Sequence, residues 1–165
     1  MQHPLYALAL TALLAPFSFA SGMHDHQHAE PMAHHHNHAQ TSMVGKPAPA
    51  SKVTKTVFVS SLDSMQYVFN KPVEIKQGDV IRFVVTNKGD IDHEFSIGND
   101  KEHAMHREMM KQMPNMVHQD GTTISLKPKE TKEIIWQFTQ KGAVVFACNI
   151  PSHYEAGMHN TIVVK

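Results

Sequence analysis

Three residues near the carboxyl end of the chain are soft or borderline metal ligands. Cys148 is the only cysteine, and His153 and Met158 follow it in the spacing C-x4-H-x4-M. Thiolate and thioether sulfur favour Cu(I), whereas imidazole binds both oxidation states of copper. The sequence therefore predicts that this short segment supplies three ligands to one copper ion.

A fourth ligand must come from another part of the chain. A trigonal site of two imidazoles and one thiolate, with a weak axial thioether, describes a blue (type-1) copper centre. His93 is the best candidate for the second imidazole, because it opens the apolar run of residues 93–97. The predicted metal ligands are His93, Cys148, His153 and Met158.

Each of these residues also has a simpler interpretation. A lone cysteine is usually a small buried hydrophobe, a lone methionine usually belongs to a core, and a lone histidine is usually a satisfied polar group. The flanking segments favour the metal interpretation, because strand-like runs lie on both sides, at residues 143–147 and 161–164. Two strands joined by a ligand-bearing loop would hold the ligands nearly fixed.

The segment from Cys148 to Met158, with Asn87-Lys88-Gly89 upstream of His93, resembles the cupredoxins, which include plastocyanin, azurin and pseudoazurin. The resemblance covers roughly residues 52–165. A Met/His-rich insertion after His93 and a His-rich leader make the chain most similar to the periplasmic copper-resistance cupredoxins of proteobacteria. The resemblance implies a copper cofactor (Cu+/Cu2+) with the four ligands named above.

The pattern from Lys52 onward is typical of an all-β protein. Short runs rich in β-branched residues occupy 53–59, 80–85 and 134–138, with turn signals between them. Together with the resemblance, this predicts a cupredoxin-like Greek-key β-sandwich with one inserted Met-rich helix. The side chain of Asn87 is predicted to tie the His93 loop to the Cys148 loop.

The predicted helix spans residues 100–113, which contain no β-branched residue. Asp100 is its predicted N-cap, and Pro114 ends it. A methionine stripe at helical spacing is usually core packing, yet this helix has almost no other apolar side chain. Both a packing lid and an auxiliary Cu(I) site remain open. The candidate auxiliary ligands are Met105, His106, Met109, Met110, Met113 and Met116.

The amino-terminal segment predicts export. Residues 5–20 are apolar, and Ser18 and Ala20 put small residues before a cleavage site after Ala20. We therefore expect a signal peptide at 1–20, a periplasmic location and no membrane insertion after cleavage. An uncut membrane anchor is the alternative.

Residues 21–50 are predicted to be a disordered His/Met-rich tail and linker, with the cupredoxin domain at 51–165. Their composition lacks the apolar periodicity of a packed core, and residues 46–50 have the Pro/Ala composition of a stiff linker. A short His-rich tract indicates metal binding. The alternative interpretation is that this tract is an expression tag. The candidate copper-binding residues of the tail are His24, His26, His28, His34, His35, His36 and His38.

Charge and cysteine content exclude several classes of function. The formal net charge is zero with histidine neutral, and no basic run with interleaved aromatic residues predicts nucleic-acid binding. One cysteine allows no internal disulfide, and in an oxidising compartment a lone thiol favours sequestration by a metal.

These observations leave two functional hypotheses. The first is copper tolerance, in which the protein captures or oxidises excess Cu(I). The alternative is a small electron-transfer protein, although a dedicated shuttle gains nothing obvious from a His-rich leader and a Met-rich insertion. Copper ions are the predicted partners, with a periplasmic copper exporter, oxidase or cytochrome as candidate protein partners. A hydrolytic zinc enzyme is disfavoured, because a closed Cys/His/Met set leaves no position for an activated water.

Overall fold

Alternation of apolar and polar residues gives the longer strands one buried face. In the strand Val80–Asn87, the side chains of Ile81, Phe83 and Val85 are fully buried, and those between them are only partly buried. This period of two is the signature of a sheet that covers a core on one side. The structure is a computed structural model that describes residues 42–165.

The described residues contain nine strands and one α-helix. In chain order the elements are β1 Gly45–Pro47, β2 Lys55–Leu62, β3 Gln66–Phe69, β4 Val80–Asn87, β5 His93–Gly98, α1 Asp100–Gln112, β6 Thr123–Leu126, β7 Thr131–Phe138, β8 Gly142–Ala147 and β9 His159–Val164.

The strands form two sheets that pack face to face. The first sheet has the order β1-β7-β4-β2-β3 and the second the order β6-β5-β8-β9; only the β2–β4 pairing is parallel. Phe83 of the first sheet contacts Phe95 and Phe146 of the second, with ring centroids 5.5 and 5.2 Å away. The predicted all-β sandwich with one inserted helix is confirmed.

The domain begins earlier than the sequence predicted. Residues 46–50 were expected to be a linker, but β1 pairs with β7, and Val44 beside it is buried. Gly45 suits this position because a Cβ atom there would lie 2.5 Å from Nε1 of Trp136. Pro47 fits because β1 is an edge strand, where a missing N–H leaves no ladder bond unmade. The pairing partner lies far along the chain, so local composition did not reveal it.

The inserted helix was predicted with nearly correct ends, but its N-cap was assigned one residue too late. Asn99 is the cap: its side chain accepts a hydrogen bond from the N–H of Glu102 at 2.9 Å, and the Glu102 carboxylate accepts one from the N–H of Asn99 at 2.8 Å. This reciprocal capping box satisfies two backbone donors at the start of the helix. The Glu102 carboxylate also accepts a hydrogen bond from Ser42, so α1 is connected to the start of the domain.

Among residues 42–165, no helix is long and apolar enough to cross a membrane. The predicted signal peptide and the predicted His-rich segment up to residue 41 lie outside the described residues.

Candidate metal centre

Neighbouring strands of the second sheet bring His93 and Cys148 together. His93 is the first residue of β5, Cys148 directly follows β8, and these two strands pair. Met158 directly precedes β9, which pairs with β8 on its other side. Three of the predicted ligands therefore lie at strand ends, where the sheet limits their movement.

The loop from Cys148 to Met158 is held by its own backbone. The N–H of Cys148 donates to the carbonyl of Met158, and the N–H of Met158 donates to the carbonyl of His153, both at 3.0 Å. Gly157, with a φ of 106°, makes the turn that returns the chain to β9. The loop is thus folded so that the backbone of Met158 lies beside that of Cys148.

Donor atoms of three predicted ligands form one compact cluster. The candidate ligand atoms of His93, Cys148 and His153 all lie within 4.8 Å of one another, and Sγ of Cys148 is 3.3 Å from Nδ1 of His153. His93, Cys148 and Met158 are fully buried, whereas His153 is partly exposed. A thiolate, two imidazoles and a buried thioether in this arrangement suit copper.

The His93 ring is oriented for a metal ion. Its Nε2–H donates to the Asp63 carboxylate at 3.1 Å, and its buried Nδ1 has no hydrogen-bond partner among residues 42–165. Buried polar atoms are nearly always paired, so an unpaired Nδ1 that faces a thiol and a second imidazole fits a metal ligand. Asp63 supplies the outer hydrogen bond that metal-binding histidines require.

The Cys148 thiol is strongly affected by its surroundings. Burial raises its pKa to about 12, and a hydrogen bond at 3.3 Å from the N–H of Glu94 to the sulfur opposes that shift. Without a metal the thiol is therefore protonated at neutral pH. A metal ion bound by this sulfur would have to displace the proton, since the thiolate is the ligand form.

Asn87 does not have its predicted role. Its side chain donates to the carbonyls of Ile91 and Leu126, at 2.7 and 3.3 Å, and accepts from the N–H of Gly89 at 2.9 Å. It therefore stabilises the turn before His93 and connects that turn to β6. Its hydrogen bonds do not reach the Cys148 loop, because the nearer backbone groups of its own turn satisfy the amide.

The methionines of the insertion divide into two groups. Met110 is buried, with 1% of its surface exposed, whereas Met105 is 66% exposed, and Met113 and Met116 are also exposed. Met105, Met109 and Met116, together with His106, line a cavity of about 590 Å³ beside α1. The candidate auxiliary residues therefore do not form a single set: Met110 packs inside, and Met113 lies outside this cavity.

Asp63, Glu94 and His118 were not among the candidate ligands that the sequence suggested. Asp63 orients His93, whereas Glu94 and His118 form a second cluster with His106, which the sequence did suggest as an auxiliary ligand. The sequence could have indicated Glu94 as a functional residue, because an acidic residue inside an apolar strand and next to a predicted ligand is unusual. Asp63 offered no comparable signal.

Comparisons with known proteins agree with this geometry. Residues 53–165 match the family model of copper binding proteins, plastocyanin/azurin family. The chain is 46% identical over 168 residues to the copper-resistant cuproprotein CopI of Vibrio cholerae serotype O1, covering 98% of each chain. It is 38% identical to the protein of the same name from Rubrivivax gelatinosus, covering 96% of this chain and 94% of that one.

Solved structures share the fold. Reduced auracyanin from Roseiflexus castenholzii superposes with a TM-score of 0.56 at 21% identity, covering 68% of this chain and 98% of that one. Auracyanin B gives a TM-score of 0.58 at 17% identity, covering 76% and 99%.

Proposed function

Because the chain belongs to the plastocyanin/azurin family of copper-binding proteins, we propose that it protects the cell against excess copper from the periplasm. The observation that carries this proposal is the 46% identity, over 98% of both chains, to a copper-resistant cuproprotein. At this identity and coverage the relative matches the leader and the insertion as well as the sandwich.

Copper is the cofactor of this family, and His93, Cys148, His153 and Met158 would hold it here. Bound copper supplies one-electron exchange. The protein contributes a closed set of ligands: Asp63 orients His93, and three of the four ligand side chains are fully buried. Such a site retains its metal and gives water no obvious position to bind as a substrate, which supports metal handling rather than hydrolysis.

The insertion and the leader would collect additional copper. Met105, Met109 and Met116 line a cavity that is open to solvent, so their thioethers are accessible to Cu(I). The histidines between residues 24 and 38 add imidazoles in the leader. Copper collected in this way would pass to a periplasmic exporter, oxidase or cytochrome.

A deletion strain tests this proposal against the electron-transfer alternative. The strain should be sensitive to copper and respire normally, and the wild-type gene should restore growth in copper. The Cys148→Ala variant should restore it poorly, and the purified variant should lack the intense blue or green charge-transfer band of the wild-type Cu(II) protein. Normal growth in copper with impaired respiration would instead support an electron shuttle.

A further inference from the structure

Three ionisable side chains converge between the second sheet and α1, outside the Cys148 centre. They are Glu94 on β5, His106 on α1 and His118 in the segment before β6. Nε2 of His106 lies 3.3 Å from Nε2 of His118. Oε2 of Glu94 lies 3.8 Å from Nε2 of His106, and Oε1 lies 3.9 Å from Nε2 of His118.

The burial of this cluster is unusual for groups that carry charge. Glu94 is completely buried, and its Oε2 has no hydrogen-bond partner among residues 42–165. His118 is also buried, and His106 is only slightly exposed. An unpaired buried carboxylate oxygen is costly, so a cation at this position would remove an unfavourable feature of the fold.

The surroundings orient both imidazoles toward Glu94. Nδ1 of His118 lies 3.3 Å from the Asp120 carboxylate, which accepts its hydrogen bond, so Nε2 faces the cluster. The side-chain amide of Asn149 lies 3.0 Å from Nδ1 of His106, which turns Nε2 of that ring the same way. An outer N–H that donates to a carboxylate, as Nδ1–H of His118 does to Asp120, is the usual support of a metal-binding histidine.

The two imidazoles lie within hydrogen-bond distance of each other, but the position of the Glu94 carboxylate fits a shared ion better than hydrogen bonds to these rings. The two carboxylate–imidazole separations, 3.8 and 3.9 Å, are too long for hydrogen bonds. Ligand atoms around a tetrahedral ion with bonds of about 2.0–2.1 Å lie about 3.3 Å apart. One ligand atom from each of the three residues already lies within 4.8 Å of the other two, so small rotations of these side chains would place the three atoms around a single ion.

We propose that Glu94, His106 and His118 form a second metal site that binds one divalent ion of the Cu(II) or Zn(II) class. Two imidazoles and one carboxylate, with no thiolate, suit borderline divalent ions. The cavity lined by Met105 and Met109 reaches His106 and His118 and provides an entry path.

The second site is directly connected to the type-1 ligands. Glu94 follows His93 in the chain, and Asn149, beside His106, follows Cys148. A divalent ion held by Glu94 adds positive charge near the type-1 copper and favours its reduced form. Filling the site should therefore raise the reduction potential of the type-1 centre.

The test uses the full chain with its type-1 centre loaded, dialysed separately against buffered Zn(II) and buffered Cu(II). Tightly bound metal is counted in the wild type and in His106→Gln and His118→Gln, two variants of independent elements. Each should hold one equivalent less than the wild type. His159→Gln, which removes an exposed imidazole, should bind as much as the wild type and controls for the general loss of a histidine.

Two readouts separate this proposal from the proposed function. The charge-transfer band shows that each variant is folded with an intact type-1 centre. If the wild-type protein lacked this band, the type-1 centre itself would be contradicted. Loss of one equivalent in only the zinc or only the copper experiment would identify the ion. Equal stoichiometry in wild type and both variants with both metals, or a type-1 potential that stays unchanged when the identified ion fills the site, would overturn the second site.

Discussion

At the scale of single residues, we expect the protonation state of Cys148 to affect copper binding. Burial raises the pKa of its thiol to about 12, so the metal-free protein carries a proton where copper must bind. Burial also lowers the pKa of His153, which is therefore neutral and ready to bind metal at neutral pH. The thiol proton is thus the main competitor of copper.

We expect the apparent affinity of the type-1 site for Cu(II) to rise with pH. Since one thiol proton leaves for each ion bound and the thiol stays protonated up to its raised pKa, the increase should be about tenfold per pH unit between about pH 6.5 and about pH 8. Titration of the charge-transfer band against a competing chelator of known pH dependence measures it. An affinity that does not change with pH would show that the metal-free thiol is already ionised.

We expect Asp63 to affect copper binding through its hydrogen bond with His93. Asp63→Asn should lower copper affinity about 10- to 100-fold, the usual cost of removing the outer hydrogen-bond partner of a metal ligand. The band should persist with an altered wavelength or intensity, because all four ligands remain. Asp90→Asn is the matched control: its exposed carboxylate pairs with Lys129 at 2.8 Å instead of with His93. Equal affinities in the two variants would exclude an orienting role for Asp63.

At the scale of elements, α1 has two faces with different chemistry. Its inner side buries His103 and Met110, with Nε2 of His103 donating to the carbonyl of Val145 at 2.9 Å. Its outer side exposes Met105 to the cavity shared with Met109 and Met116. The helix therefore packs through Met110 and leaves other thioethers accessible on its outer side, so packing does not exclude an auxiliary Cu(I) site.

Leucine substitutions separate these two roles. Leucine nearly matches the volume of methionine and usually costs less than about 1.5 kcal/mol in a core, but it has no sulfur to bind Cu(I). Replacing Met105, Met109 and Met116 together should lower Cu(I) stoichiometry and copper tolerance while the type-1 band is retained. Met110→Leu, on the buried side, should leave Cu(I) stoichiometry unchanged. Undiminished Cu(I) binding in the triple variant would show that these thioethers are not ligands.

At the scale of the whole molecule, the domain includes Ser42 and β1 and therefore begins before residue 51. Ser42 donates to the Glu102 carboxylate at 2.9 Å, Val44 is buried, and β1 pairs with β7. A truncation intended to remove only the leader must therefore stop before Ser42.

Two truncations test this boundary. A chain lacking residues 21–41 should keep its thermal stability and type-1 band but bind fewer copper ions, because the leader histidines are absent. A chain lacking residues 21–49 also loses β1 and Val44, whose burial alone is worth roughly 1.5–3 kcal/mol, and its Tm should fall by roughly 5 °C or more. Calorimetry and metal analysis measure both effects. Equal Tm values for the two truncated chains would show that β1 does not stabilise the fold. Loss of the band in the chain that lacks only residues 21–41 would show that the leader is part of the type-1 centre.

The sequence alone was sufficient to predict the fold class, the copper chemistry and the inserted helix, because each depends on local pattern. The strands were predicted from apolar residues that alternate with a period of two, and the helix from a segment without β-branched residues before a proline. Three of the predicted ligands lie in one C-x4-H-x4-M segment. The orienting partner of His93 is different, since Asp63 lies 30 residues away and obeys no fixed spacing. The edge strand β1 likewise depends on a partner strand far along the chain.

Tertiary structure alone decided which polar side chains meet. Glu94, His106 and His118 come from a strand, a helix and a loop, and only the packing of α1 against the second sheet brings their ligand atoms within 4.8 Å of one another. Packing likewise decided that Met110 is buried and that Met105 is exposed, since both have the same chemistry and lie on the same helix. Local pattern determines which elements form and which residue types they carry, whereas contacts between distant segments determine which of those residues share a site.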